Sequence, residues 1–144
     1  MKKVRLACIG AGSWGIHHVR QFAALEQSDL TACCDQNAAR RALVSAQYPY
    51  LAVIDRPDRL MTDTSIQALV IATNAQNHYA LAKQALSAGK DVFVEKPLTL
   101  SVQEASELVT LAEQKNRILM VGHLMLYHPA VTALKACIDR GGIG

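Results

Sequence analysis

Apolar and polar positions follow two rhythms along the chain. Short, mostly apolar runs at Val4–Ile9, Leu30–Cys34, Ala68–Ala72, Asp91–Val94 and Arg117–Val121 have the length of buried strands. Tyr50–Ile54, after Pro49, reads as a weaker one. Between them, apolar residues recur at helical spacing. Ser13–Glu26 carries Ile16, Val19, Phe22 and Ala23; Asn77–Ser87 carries Leu81, Ala82, Ala85 and Leu86; Ser101–Gln114 carries Ala105, Leu108, Val109 and Ala112. Gln36–Gln47 and the short Arg56–Asp63 complete the helical set, and Pro129 opens a last helix with Val131, Leu134 and Ile138 that Gly141–Gly142 ends. Gly89 suits the left-handed residue after a helix, and Ser101-Val-Gln-Glu104 has capping-box spacing, which predicts a reciprocal pair of side-chain-to-backbone bonds. Strand and helix alternate about six times, so the expected fold is α/β: a doubly wound parallel sheet of about six strands with helices on both faces.

Length and charge narrow the class. The 144 residues suit one domain, with no repeat, low-complexity segment or linker. The net charge of +3 is scattered; Arg40–Arg41 is the densest basic pair, and no basic run argues for nucleic acid or an anionic membrane. The start MKKVRLACIGAG has only about four apolar residues before the glycines, too short for a signal peptide, and no stretch approaches a membrane span. Cys8, Cys33, Cys34 and Cys137 form no CxxC pair, and Cys33 and Cys34 as strand neighbours point to opposite faces. They read as small buried groups in a reducing cytoplasm, the expected location.

The stretch GAGSWG places Gly10, Gly12 and Gly15 between a predicted strand and a predicted helix. In that context each glycine of GxGxxG serves a different purpose. Gly10 permits a tight turn, Gly12 lets a pyrophosphate touch backbone, and Gly15 lets helix and strand pack closely. The open amides of the helix start, Ser13 among them, face the anion. Asp35 follows twenty residues after Gly15, at the end of the second strand. A carboxylate there can accept from both adenosine ribose hydroxyls and would repel a 2′-phosphate, which favours NAD over NADP. Arg40 or Arg41 within reach of a phosphate would blur that preference, and Asp35 serving only as a helix cap is the alternative. Trp14 lies against the cofactor or wedges the helix. His17 and His18 read as surface or edge residues, with no metal site.

The crevice of such a sheet lies between the first and fourth strands. Thr73, Asn74 and His78 fall on the loop and helix start there, with local hydrogen bonding as the alternative for His78. Glu95 and Lys96, held by Pro97, stand at the carboxyl end of the fifth strand, where a lysine whose pKa falls beside other cations can move a proton; a plain surface lysine is the alternative.

GAGSWG, Asp35, ATNAQNH, AGKDVFVEKPL and VGHLMLYHPAV occur in one order over essentially the whole chain. In this the chain resembles the N-terminal Rossmann half of the Gfo/Idh/MocA oxidoreductases, with AGK-x-V-x-x-EKP as the specific part. The resemblance implies hydride transfer between a nicotinamide cofactor and a sugar, sugar-nucleotide or cyclitol hydroxyl. It implies that Lys96 bonds the hydroxyl being oxidised and helps remove its proton, that Glu95 helps orient the nicotinamide side, and that His123 sits near the substrate entrance, with a cap on the final helix as the alternative. Asn74 stands where the family often has proline, and Leu126 where it often has arginine. Such proteins continue for about as many residues again in a domain that walls the substrate, so residues 1–144 are expected to be the dinucleotide-binding domain without it, inactive alone against a sugar-like substrate, with a homo-oligomer as a further possibility. A stand-alone NAD(H)-binding or sensing module is the alternative.

Overall fold

The computed structural model describes residues 3–142; Met1, Lys2, Ile143 and Gly144 lie outside them. Six strands, β1 (Val4–Ile9), β2 (Ser28–Cys34), β3 (Ala52–Ile54), β4 (Ala68–Ile71), β5 (Asp91–Val94) and β6 (Leu119–Val121), form one sheet in the order β3-β2-β1-β4-β5-β6. Every pairing in it is parallel. Six helices join them: α1 (Gly15–Ala24), α2 (Ala38–Gln47), α3 (Asp58–Thr62), α4 (His78–Ser87), α5 (Val102–Lys115) and α6 (Pro129–Asp139). This is the doubly wound order expected, a Rossmann sheet whose connections run outward in both directions from the β1–β4 pair.

The strict alternation of side chains along each strand divides the core in two. Leu6 and Cys8 of β1, Cys33 of β2 and Val70 of β4 face Val19 of α1 and Val44 of α2. Ala7, Ile9, Cys34, Leu69 and Ile71 face the other way, against Ala82, Ala85 and Leu86 of α4 and Leu108 of α5. Cys33 and Cys34 therefore separate as neighbours on a strand must. The near-complete burial of β1 and β4 on both faces explains their continuous apolar runs.

Several helix ends differ from expectation. α1 begins at Gly15, because residues 10–14 form the loop. Asn37 caps α2 by accepting from Arg40 N, so that helix starts two residues late. Ser101 accepts from Glu104 N at 3.5 Å, but the return bond of a capping box is absent among the described residues. Asn116 ends α5 in the left-handed region at φ 51°, a role an asparagine side chain tolerates. Tight 3-10 turns at Ala75–Asn77 and Leu124–Tyr127 were not foreseen. His128, not His123, caps α6, through Nδ1 accepting from Ala130 N. At the amino end of the sheet, buried Lys90 donates to the carbonyls of Asp63 at 2.6 Å and Ile66 at 2.8 Å, which satisfies its charge where water is excluded.

Candidate functional site

A cleft of about 650 Å³ opens at the carboxyl ends of β1 and β4, where the strand order reverses. On its β1 side the three glycines do different things. Gly10 has φ +99°, and a Cβ there would lie 2.4 Å from the Ala72 carbonyl oxygen. A Cβ on Gly15 would lie 2.1 Å from the Gly10 carbonyl oxygen. Both are therefore forced by the chain's own packing. Gly12 is not: the nearest atom to its Cβ would be Arg40 Nη1 at 3.6 Å, and the residue faces the cleft. Among the described residues the amides of Gly12, Ser13 and Trp14 donate to no group of the chain. They stand at the start of α1, whose dipole places partial positive charge there.

Asp35 brackets this loop. It is 8% exposed; Oδ2 accepts from Ala11 N at 2.7 Å and Oδ1 from Asn37 N at 2.8 Å. The carboxylate thus ties the β2 end to the glycine loop and still borders the cleft. The two arginines separate. Arg41 donates Nη1 to the carbonyls of Asp35 and Gln36, 2.9 Å each. Arg40 is half-exposed, lines the cleft and sits 3.6 Å from Asp35 Oδ2. Burial pushes the Cys34 thiol beneath the cleft up to about 11 and that of Cys33 up to about 12, so neither supplies a nucleophile near neutral pH. Trp14 is half-exposed on the rim, its ring edge-on to His17 at 5.7 Å; it lines the cleft rather than wedging the helix.

On the β4 side, Thr73 and Asn74 line the cleft, as does Asn77, which the sequence reading passed over. His78 is 1% exposed. Its Nδ1 lies 2.7 Å from the Pro97 carbonyl oxygen and its Nε2 3.1 Å from that of Thr73. A neutral ring carries one N–H and donates to one of these oxygens, so His78 stands between the loop after β4 and the loop after β5 with both nitrogens facing carbonyls. Its bonding reaches beyond the local turn.

Glu95 and Lys96 lie one strand further out, beyond the cleft lining. Glu95 is buried, with Oε1 2.7 Å from His18 Nε2 and Oε2 accepting from Lys96 N at 3.2 Å. Lys96 is exposed, and its ammonium has no partner among the described residues. His18 corrects the sequence reading: it is not a surface residue but a largely buried one, edge-on to Phe93 at 5.2 Å. No spacing rule exposes a bond between residues 77 positions apart. His17 does lie at the surface. Among the described residues no group of three His, Cys, Asp or Glu side chains could hold a metal ion, and no helix is long and apolar enough to cross a membrane.

Residues 4–123 match the Gfo/Idh/MocA model, described as "Oxidoreductase family, NAD-binding Rossmann fold". A UDP-N-acetylglucosamine 3-dehydrogenase of Acidithiobacillus ferrooxidans is 34% identical over 135 residues, 94% of this chain and 42% of that protein. A scyllo-inositol 2-dehydrogenase (NAD(+)) of Bacillus subtilis is 29% identical over 143 residues, 99% of this chain and 42% of that one. The crystal structure of a Synechocystis biliverdin reductase with biliverdin and NADP+ superposes with a TM-score of 0.87 at 28% identity, over 94% of this chain and 43% of that chain. The chain spans about two-fifths of the length of these relatives.

Proposed function

The chain belongs to the Gfo/Idh/MocA oxidoreductase family as an NAD-binding Rossmann domain, and from that premise we propose that it cradles the cofactor of an enzyme moving hydride between a nicotinamide and a sugar, sugar-nucleotide or cyclitol hydroxyl. The observation that carries the proposal is the division among the glycines. Gly10 and Gly15 have no room for a side chain, whereas Gly12, Ser13 and Trp14 line the open cleft with amides that have no partner among the described residues. A diphosphate fits that arrangement: it needs close backbone approach and donors without partners. Asp35, fixed by two amides, then accepts from the ribose hydroxyls on the β2 side. Trp14, Thr73 and Asn74 border the same groove.

Bound there, the cofactor supplies a hydride acceptor or donor at its nicotinamide. The chain's own residues do the rest. Loop amides hold the diphosphate, and the cleft walls direct the second half of the ligand toward the ends of β4 and β5. The Lys96 side chain, free to reach outward, bonds the substrate hydroxyl, donating to its oxygen while it is an ammonium and taking its proton only as the neutral amine. Asp35 favours NAD. Arg40 tempers that preference, since its guanidinium is the one basic group of the pair facing the cleft. Residues 1–144 form the dinucleotide domain alone in this reading. The described residues offer one proton-transfer group and no enclosed substrate site, so sugar oxidation by these residues alone is expected to be negligible. The same observation favours a second reading, a module that binds NAD(H) without catalysis.

Trp14 is the only tryptophan and stands on the cleft rim, so it reports occupancy. Titration with NADH is expected to quench its emission saturably, NADPH acting only at higher concentration, with heat released in calorimetry. Folded protein that gives neither quenching nor heat with NADH overturns the proposal. Robust sugar-dependent NADH formation by the 144-residue chain overturns the inactive-alone part and the module reading together.

A further inference from the structure

We propose that His18 is a positioning residue: through Glu95 it holds the β5 end and Lys96 in register with the glycine loop. The inference rests on the preceding reading of the cleft. A carboxylate that is only 7% exposed needs partners, and Glu95 has no lysine or arginine side chain on it. It is held by the imidazole of His18 and by the amide of Lys96. The imidazole is itself fixed. Its ring is edge-on to Phe93 at 5.2 Å, and Phe22 lies on another side at 6.4 Å. Gly122, just after β6, closes the far side, since a Cβ there would lie 3.2 Å from Glu95 Oε1 and 3.2 Å from Phe93 Cζ. A single side-chain bond thus joins α1, which begins in the glycine loop, to the strand end that presents Lys96.

Two arguments make this functional rather than merely cohesive. Buried ion-pair-type contacts are poor sources of stability compared with apolar groups of the same shape. His18 and Glu95 sit in an otherwise apolar setting that Phe93 and Phe22 already fill. The placement is the second argument. The two halves of a dinucleotide straddle the switch point. Asp35 marks the adenosine half on the β2 side. The opposite half extends over β4 and β5, where Glu95 hands one oxygen to His18 and the other to the Lys96 amide. The loop that grips the diphosphate and the lysine that meets the hydroxyl are therefore held at a fixed separation, which hydride transfer requires.

The test compares His18→Leu, which removes the ring nitrogen, with His18→Gln, whose amide can still donate to Glu95. ADP-ribose, which lacks the nicotinamide, reports the adenosine half; NADH reports both. The expected result is ADP-ribose affinity within about twofold of wild type in both variants, NADH affinity down about fivefold in His18→Leu, and recovery in His18→Gln. The pH profile of Lys96 labelling by an amine reagent, read by peptide mass, is expected to move in His18→Leu and return in His18→Gln. Glu95→Gln added to His18→Leu is expected to cause little further loss. If His18→Leu does not fold, His18→Asn, whose amide stops short of Glu95, replaces it. Equal weakening of both ligands, or an unchanged NADH-to-ADP-ribose ratio with an unchanged labelling profile, overturns the inference and leaves the cradle standing. Wild-type protein that binds neither ligand overturns the cradle itself, and this inference with it.

Discussion

Alanine at each of the three glycines separates a turn from a ligand site. Gly10→Ala faces two costs. Its φ of +99° is a strained conformation for alanine, and the new methyl would stand 2.4 Å from a backbone oxygen. At about 1–3 kcal/mol for each, the sum is about 2–6 kcal/mol. For a domain of this size that is a melting temperature lower by about 6–18 °C. Gly15→Ala meets the Gly10 carbonyl oxygen at 2.1 Å and is expected to lose about as much. Gly12→Ala is different in kind. Its φ is outside the left-handed region, and its nearest neighbour, at 3.6 Å, is the end of the Arg40 side chain. Loss of unfolded-chain freedom makes that change neutral or stabilising by up to about 1 kcal/mol, a rise of about 3 °C at most. The same methyl occupies the space a phosphate oxygen needs. Loss of one or two charge-assisted amide bonds, about 1.5–3 kcal/mol each, weakens NADH binding about 100-fold. Thermal melts and NADH titration of Trp14 emission read both quantities on the same samples. If Gly12→Ala melts as low as Gly10→Ala, or binds NADH as wild type does, the loop is only a turn and the reasoning fails.

Asp35→Ala removes the acceptor from two amides at 2.7 and 2.8 Å, so it is expected to lower stability by about 2–4 kcal/mol and to weaken NADH more than NADPH; equal weakening in a paired titration removes the ribose assignment. Cys33 and Cys34, ordinarily near 9.0, are held by burial at about 12 and about 11. Between those limits the folded chain keeps protons that the unfolded chain has lost, so these thiols leave stability flat below pH 9 and lower it above by about 1.4 kcal/mol per pH unit per thiol. Urea melts from pH 8 to pH 11 check this, and a rise in stability over that range is the contrary result. His78→Leu removes the one N–H that a Thr73 or Pro97 carbonyl oxygen accepts and is expected to cost about 1–3 kcal/mol in a chemical melt; a loss below about 0.5 kcal/mol means the ring was bonding neither loop.

What the sequence could show was set by distance along the chain. The strand runs and the order of elements rest on apolar periodicity within some ten residues, and β1, α4 and β5 fall within a residue of their expected bounds. The glycine spacing is equally local, and its meaning for Gly10 and Gly15 follows from contacts that any strand–loop–helix of this length must make. His78 and His18 mark the limit of local reading. A histidine on a helix says nothing of what the fold brings opposite it: beside the nearby Thr73 carbonyl, His78 meets Pro97 19 positions away, and His18 meets Glu95 77 positions away. Arg40 and Arg41 are neighbours of the same type, and only the path of α2 decides which faces the cleft and which binds carbonyls. The capping box had the right letters, yet only one of its two bonds forms among the described residues.

The two halves of the proposed cofactor site are unequally braced, and that inequality predicts where binding energy resides. On the adenosine side Asp35 is fixed by two amides, and Gly10 and Gly15 leave no room for a side chain. On the other side the Lys96 ammonium has no partner among the described residues, and the turn Leu124–Tyr127 and α6 leave Leu126, Tyr127 and Leu134 exposed. A free lysine must surrender about 2 kcal/mol of rotamer entropy to hold one pose, which offsets most of a hydrogen bond's gain. The nicotinamide half therefore adds little affinity in this chain, and NADH is expected to bind no more than about tenfold tighter than ADP-ribose, about 1.4 kcal/mol. Calorimetry of the two ligands against the same preparation measures that ratio. A ratio above about a hundred would mean that the β5 side grips the nicotinamide by itself, against the exposure of Lys96.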